Sequence, residues 1–286
     1  MLLGLLAGAL FGALSVAVRF GLGRGADPAL GAAVITSTAF VVAALAAVPS
    51  LADGLPLGDL WPFALVGLLV PGLSQVLFVL AVRHAGASRS AILIGTAPLL
   101  SVALALVLLD EPLQPVLLAG TVLVVAGGAV LARERARPAT FRALGVVLAL
   151  TCAGLFAVRD NAVRYVARDV DPNVLQATAA SLLAAAATAT LGYALRRRTG
   201  STRTELRTAV TAFVPAGVVL ALAYAALVGG FSRGRVALVA PLNATQSLWA
   251  VVFASLLYAR SEAIGRRTVL AGVLVVAGGA LIGAFR

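Results

Sequence analysis

The octapeptide Val122-Leu123-Val124-Val125-Ala126-Gly127-Gly128-Ala129 returns unchanged as Val273-Leu274-Val275-Val276-Ala277-Gly278-Gly279-Ala280. Both copies follow Leu-Ala-Gly, at 118–120 and 270–272, and both sit near the end of their half of the chain. The repeat reads as the closing helix of a duplicated unit. Upstream, Asp27-Pro28 recurs as Asp171-Pro172, Pro71 as Pro215, and Gly86-x-Ser88-Arg89 as Gly230-x-Ser232-Arg233, all at the same spacing. Ala17-Val18-Arg19-Phe20 recurs as Ala162-Val163-Arg164-Tyr165 at nearly that spacing. The closing octapeptides lie slightly further apart, so the second copy gains several residues between Pro241 and its last helix. The expected organisation is two units, 1–137 and 138–286, joined by Arg133-Glu134-Arg135-Ala136-Arg137-Pro138.

Composition places these units in a membrane. With 61% hydrophobic and 12% charged residues and a mean hydropathy of +1.05, the chain lacks the polar surface to coat a soluble globule. Ten apolar segments follow one another, at 2–20, 29–51, 63–82, 91–109, 116–131, 144–166, 174–195, 209–228, 236–257 and 269–284. Most approach the ~20 residues a helix needs to cross ~30 Å of hydrocarbon. They are too long and too evenly apolar for barrel strands, and in lipid an unpaired backbone amide is too costly for anything but helix. The first segment lacks the basic start of a signal peptide and pairs with the sixth through the Ala-Val-Arg-aromatic repeat, so it reads as a retained helix.

Five spans per unit is an odd number, so the second unit must start on the opposite face of the membrane from the first. The expected fold is therefore all-α and polytopic, ten transmembrane helices as two inverted five-helix repeats. Of the 22 basic residues, all arginine, 16 fall in the gaps after the first, third, fifth, seventh and ninth segments. By the positive-inside rule both termini then face away from the cytoplasm of a cytoplasmic (inner) membrane. The net charge of +11 fits anionic headgroups, and nucleic acid is not an expected partner.

Several chemistries are excluded. Without lysine there is no Schiff base and no phosphate-loop lysine. One cysteine, Cys152, and one histidine, His84, cannot build a metal cluster or an intramolecular disulfide, so no cofactor is expected. Paired catalytic aspartates, a His-Glu-x-x-His motif and a serine nucleophile elbow are all missing, so the chain is not expected to be an enzyme. Gly4, Gly8 and Gly12 form a small-residue face suited to close helix packing, within the chain or across a homodimer seam.

Gly86-Ala87-Ser88-Arg89 leads into the fourth segment, Pro98 lies within it, Glu111 closes it, and Gly120-x-x-Leu123-Val124-x-Ala126-Gly127 falls in the fifth. In the second half stand Ala240-Pro241-Leu242-Asn243-Ala244-Thr245, Glu262 and the glycine-rich tenth segment. This order of motifs resembles the EamA-type permeases of the drug/metabolite transporter superfamily. That resemblance implies a secondary transporter for a small organic metabolite. It leaves the substrate open, and relatives with ten helices are commonly drawn with both termini cytoplasmic, opposite to the arginine count.

In an inverted-repeat transporter the substrate site is expected near the midplane, between the halves. On the ninth segment Asn243, Gln246 and Trp249 recur every three residues and share one face. Pro71 and Pro215 occupy equivalent places on the third and eighth segments and are expected to kink the cavity wall, with Gln75 and Tyr224 beyond them. Ser74 and Thr96 are expected to bond their own helices. The sixth segment holds Arg159-Asp160-Asn161, where the first has Leu14-Ser15-Val16. Asp160 can pair with Arg164 one turn on, leaving Arg159 to face the cavity and hold an anionic or zwitterionic solute with Asn161. The repeated Arg19/Arg164 and Arg89/Arg233 are candidate gating residues at symmetry-related membrane edges. The alternative to a permease is a non-transporting scaffold or assembly partner, which would need a packed centre.

Overall fold

The computed structural model describes residues 1–85, 93–110, 114–132, 143–170, 173–196 and 202–257, with Ser90 and several positions between 270 and 281. Arg89, Glu111, Asp171-Pro172, Glu262, the 133–138 connection and most of the tenth segment lie outside the described residues.

Helix α1 spans Leu2–Gly23 and ends before Gly25, whose φ of 76° makes the turn. Helix α2, Pro28–Ala47, starts where a helix should: Asp27 Oδ1 accepts from the amides of Ala29 and Leu30, at 3.0 and 2.9 Å, and Pro28 takes the first position, where no amide is needed. A 3-10 turn, Val48–Asp53, leads to α3, Leu57–Gly67. The third segment then breaks. Leu68–Leu73 is a wide turn with Val70 extended (φ −139°, ψ 114°), and α4 resumes over Ser74–Ala85.

Helices α5, Ala97–Leu108, and α6, Pro115–Ala132, complete the described part of the first half. The second half has α7, Ala143–Asp169; α8, Val174–Arg196; and α9, Arg203–Arg233. Thr202 and Glu205 exchange bonds at the start of α9 as a capping box. Helix α10, Val236–Asn243, and α11, Gln246–Leu257, are separated by a turn at Ala244-Thr245.

Among the described residues there is no strand, and seven helical stretches are long and apolar enough to cross a membrane. They are Leu2–Gly23, Pro28–Ala52, Leu57–Ala85, Ala143–Arg168, Val174–Arg196, Arg203–Arg233 and Val236–Leu257. Ala97–Leu108 and Pro115–Gly127 are shorter apolar helices. The chain is a multi-pass membrane protein, and its exterior fits one: Leu45, Trp61, Val107, Leu195 and Leu256 point outward and exposed, while the interior is rich in alanine, glycine and bonded hydroxyls. Small interior residues let helices approach where the hydrophobic effect supplies no drive between them.

The two halves interleave. Helix α1 packs on α9, α10 and α11; α2 on α8 and α9; α3 on α8; α4 on α7; and α5 on α7 and α10. The Gly4/Gly8/Gly12 face serves packing within the chain. A Cβ on Gly12 would lie 2.6 Å from the Trp249 Cβ and 2.8 Å from the Ala250 nitrogen, and one on Gly8 would meet the Asn243 and Leu242 carbonyls at 3.0 Å. Pro71 and Pro215 do not behave alike. Pro71 lies in the break, whereas α9 runs on through Pro215, which lines neither of the central cavities described below.

Candidate functional site

A helix broken inside a membrane must have its freed carbonyls satisfied by other elements. At the α3–α4 break the second half does this. Tyr224 on α9 donates its hydroxyl to the Val70 carbonyl at 2.8 Å, and Ser181 on α8 donates to the Phe63 carbonyl at 2.9 Å. The fourth and ninth segments are broken too, at Gly95-Thr96 and Ala244-Thr245. Each break has a threonine that reaches back three residues: Thr96 to the Leu93 carbonyl and Thr245 to the Leu242 carbonyl, both at 2.7 Å. Thr96 thus bonds its own segment as expected, whereas Ser74 faces a cavity.

Helix α7 runs through this broken region. Arg159, Asp160 and Asn161 are 3%, 3% and 4% exposed, so the charges are inside the protein rather than in lipid. The sequence expectation for the pairing is corrected here. Arg159 bonds its neighbour Asp160, with Nε at 3.0 Å and Nη2 at 2.6 Å, both from Oδ1. The Cβ atoms diverge, but the long arginine side chain folds back, and the guanidinium lies 4.8 Å from the Phe156 ring centre. Asp160 is not taken by Arg164, which donates instead to the Phe231 and Ser232 carbonyls at the end of α9, both at 3.4 Å.

The first half holds the other side of the ion pair. Ser101 on α5 donates to Asp160 Oδ2 at 2.7 Å, and Asn161 Nδ2 donates to the Ser101 carbonyl at 3.0 Å and the Ala157 carbonyl at 2.9 Å. Sequence reasoning missed Ser101 and Asp160 as site residues. Two signals were available: a serine one turn past Pro98, and a carboxylate beside the anomalous arginine.

Two small cavities flank the pair. One, of about 20 Å³, is lined by Ser15, Gln75, Phe78, Arg159, Tyr224 and Gln246 among others. The second, of about 10 Å³, is lined by Pro98, Arg159, Asp160, Asn243 and Gln246 among others. Each is about the size of one water. Of the sequence-predicted residues, Gln75, Arg159, Tyr224, Asn243 and Gln246 therefore come together. Asn161 is held by carbonyls beside them, and Trp249 lines neither cavity but stacks on Phe253, ring centres 5.7 Å apart. Gln75 Nε2 and Asn243 Oδ1 are buried without a hydrogen-bond partner among the described residues.

Of the candidate gating residues, Arg19, Arg164 and Arg233 line neither central cavity. Arg19 is half-buried and partnered, and Arg164 reaches the end of α9. Arg233 bonds the Gly229 carbonyl of its own helix at 3.3 Å. At one end of the bundle the α1–α2 turn, the end of α4 and the start of α9 enclose a separate recess of about 450 Å³, lined by Asp27, Arg83 and Glu205 among others.

No curated protein matches the chain. A solved structure, described only as the crystal structure of a protein, matches it with a TM-score of 0.74 at 25% identity, over 99% of this chain and 96% of its own. Residues 1–133 match a family model. That model describes the EamA-like transporter family, the family that the order of motifs in this chain resembles.

Proposed function

We propose that this protein is a permease that moves a small organic solute across the cytoplasmic membrane by alternating access, built as ten helices in two inverted repeats, 1–137 and 138–286. The observation that carries the reading is Arg159. It is buried, shared by both central cavities, and surrounded by Gln75 from the first half and Tyr224, Asn243 and Gln246 from the second. Asp160 balances the buried guanidinium, but Gln75 Nε2 and Asn243 Oδ1 on the two cavities stay buried without a partner among the described residues, and an anionic or zwitterionic solute beside Arg159 supplies what they lack.

The interleaving of the halves supports the repeat. If segments 1–5 are paired with 6–10, the contact of α1 with α9 has its counterpart in α4 with α7, and that of α2 with α9 in α3 with α8. The contact of α1 with α10 and α11 is matched by that of α5 with α7, while α2 with α8 and α5 with α10 map onto themselves. Fold alone would not license transport, but the matched family of residues 1–133 is one of transporters. In this reading Arg19 and Arg164, with Arg89 and Arg233, hold one end shut while the other opens.

The competing reading, a membrane scaffold, draws on the small size of the central cavities. Counterflow in proteoliposomes with a labelled metabolite library separates the two. Transient uphill accumulation of at least one solute supports the permease, and none for any solute overturns it.

A further inference from the structure

The central ion pair has a consequence for which solutes could bind. An arginine alone in a membrane cavity is neutralised by a monoanion. Here Asp160 already neutralises Arg159, with both Nε and Nη2 on Oδ1 and with Oδ2 held by Ser101. A monoanion entering this site would leave the buried cluster with a net negative charge, and an uncompensated charge in such surroundings is expensive. A solute with both charges leaves it neutral.

The polar ends left unpartnered are sorted in the same way. The hydrogen bonds of Arg159 use Nε and Nη2, so Nη1 has no acceptor among the described residues, and Gln75 Nε2 has none either. Both residues line the 20 Å³ cavity, which no carboxylate lines. The 10 Å³ cavity has the acceptors: Asp160 and the unpartnered Asn243 Oδ1. Arg159 and Gln246 line both cavities, whereas Gln75 lines only the first and Asp160 and Asn243 only the second. The start of α5, Ala97-Pro98, lines the Asp160 side, and Ser101 holds the carboxylate in place through Oδ2.

We propose that Asp160 determines the charge class of the solute: the site takes molecules whose own charges sum to zero, with an anionic group on Arg159 and Gln75 and a cationic N–H group on Asp160 and Asn243, and it rejects monoanions. Ser101 is the positioning residue that keeps Asp160 available. This rests on the reading of the central cavities as the solute site. A purely structural pair would tie α7 to α5 and leave charge preference untouched, which makes charge preference the readout.

The test is counterflow by the full chain in proteoliposomes, with a labelled library of size-matched zwitterions, monoanions and monocations at pH 7. The wild type is expected to transport zwitterions at least tenfold faster than matched monoanions. Asp160→Asn should reverse that ratio, because Arg159 is then free to pair with the solute. Ser101→Ala, which removes no charge and tests the same point should Asp160→Asn fail to insert, should shift the ratio toward monoanions by severalfold. An Arg159→Gln/Asp160→Asn double variant, neutral and free of a stranded charge, should lose both classes. A wild type that prefers monoanions, or variants with an unchanged ratio, would overturn the proposal and leave transport standing. Transport of no library member would overturn the permease reading itself.

Discussion

A guanidinium nine residues, or ~13 Å, in from Arg168 on the same helix must face either lipid or protein, and lipid is the costlier choice. The structure puts it in protein, beside Asp160 and two cavities. That Arg159 faces inward was legible from its depth in an apolar segment. Its partner was not, because the choice between Asp160 with Arg164 and Asp160 with Arg159 depends on where the end of α9 lies, and the Phe231 and Ser232 carbonyls draw Arg164 away. As the anchor of a solute, Arg159 contributes a charge-assisted bond of about 1.5–3 kcal/mol, so Arg159→Gln should lower kcat/KM about tenfold to a hundredfold. Arg159→Lys should not restore it, since lysine has no planar fork to share between Asp160 and a second anion. Near-normal transport by both variants, correctly inserted, would leave Arg159 with no role in binding. Tyr224 makes a different point. Its hydroxyl closes the Val70 carbonyl, and Tyr224→Phe strands that acceptor where the helix offers no substitute. A loss of about 1–2 kcal/mol is expected in unfolding of the purified protein, above the ~0.6 kcal/mol average for bonds between membrane helices.

At the scale of helices, the glycine spacing of α1 was readable because a small-xxx-small face has a single geometric use, close approach. Its partner is the broken ninth segment, α10 and α11. Gly12→Val should therefore lower the melting temperature sharply, since the added carbon meets the Trp249 Cβ and the backbone of Ala250. Gly154 on α7 is the control: nothing lies within 4 Å of its would-be Cβ, so Gly154→Ala should be neutral or slightly stabilising. Either order reversed would contradict this packing. The helix breaks were only partly legible. Pro71 announces one, but at Gly95-Thr96 and Ala244-Thr245 the threonines make the same backward bonds that Thr36 and Thr211 make within unbroken helix, so the residue type alone does not mark a turn. Pro215 sits within an unbroken α9, and the Thr211 carbonyl that its missing amide frees accepts from Arg24 Nη1 of the α1–α2 turn at 3.3 Å.

For the whole molecule, hydropathy located seven stretches that the structure gives as helices able to span a membrane, and two shorter ones between them. The octapeptide repeat pointed to two halves, and among the described residues α1–α5 pack against α7–α11. Length and apolarity leave a strong trace in a sequence. The order of contacts between halves leaves almost none, because it depends on pairs of faces far apart in the chain. Orientation follows from the arginines: reporter fusions at both ends should be active outside the cytoplasm, and activity of a cytoplasm-only reporter would reverse the assignment. Alternating access makes the most direct demand on the molecule, since a centre closed to all but single waters must open to each face in turn. Because the protein has a single cysteine, Cys152, a Cys152→Ala background with Ser15→Cys places one thiol on the central cavity. Membrane-impermeant thiol reagents added from either side of oriented vesicles should label that thiol, and they should do so more slowly in the presence of a transported solute. Labelling from one side only, or from neither, would contradict the account.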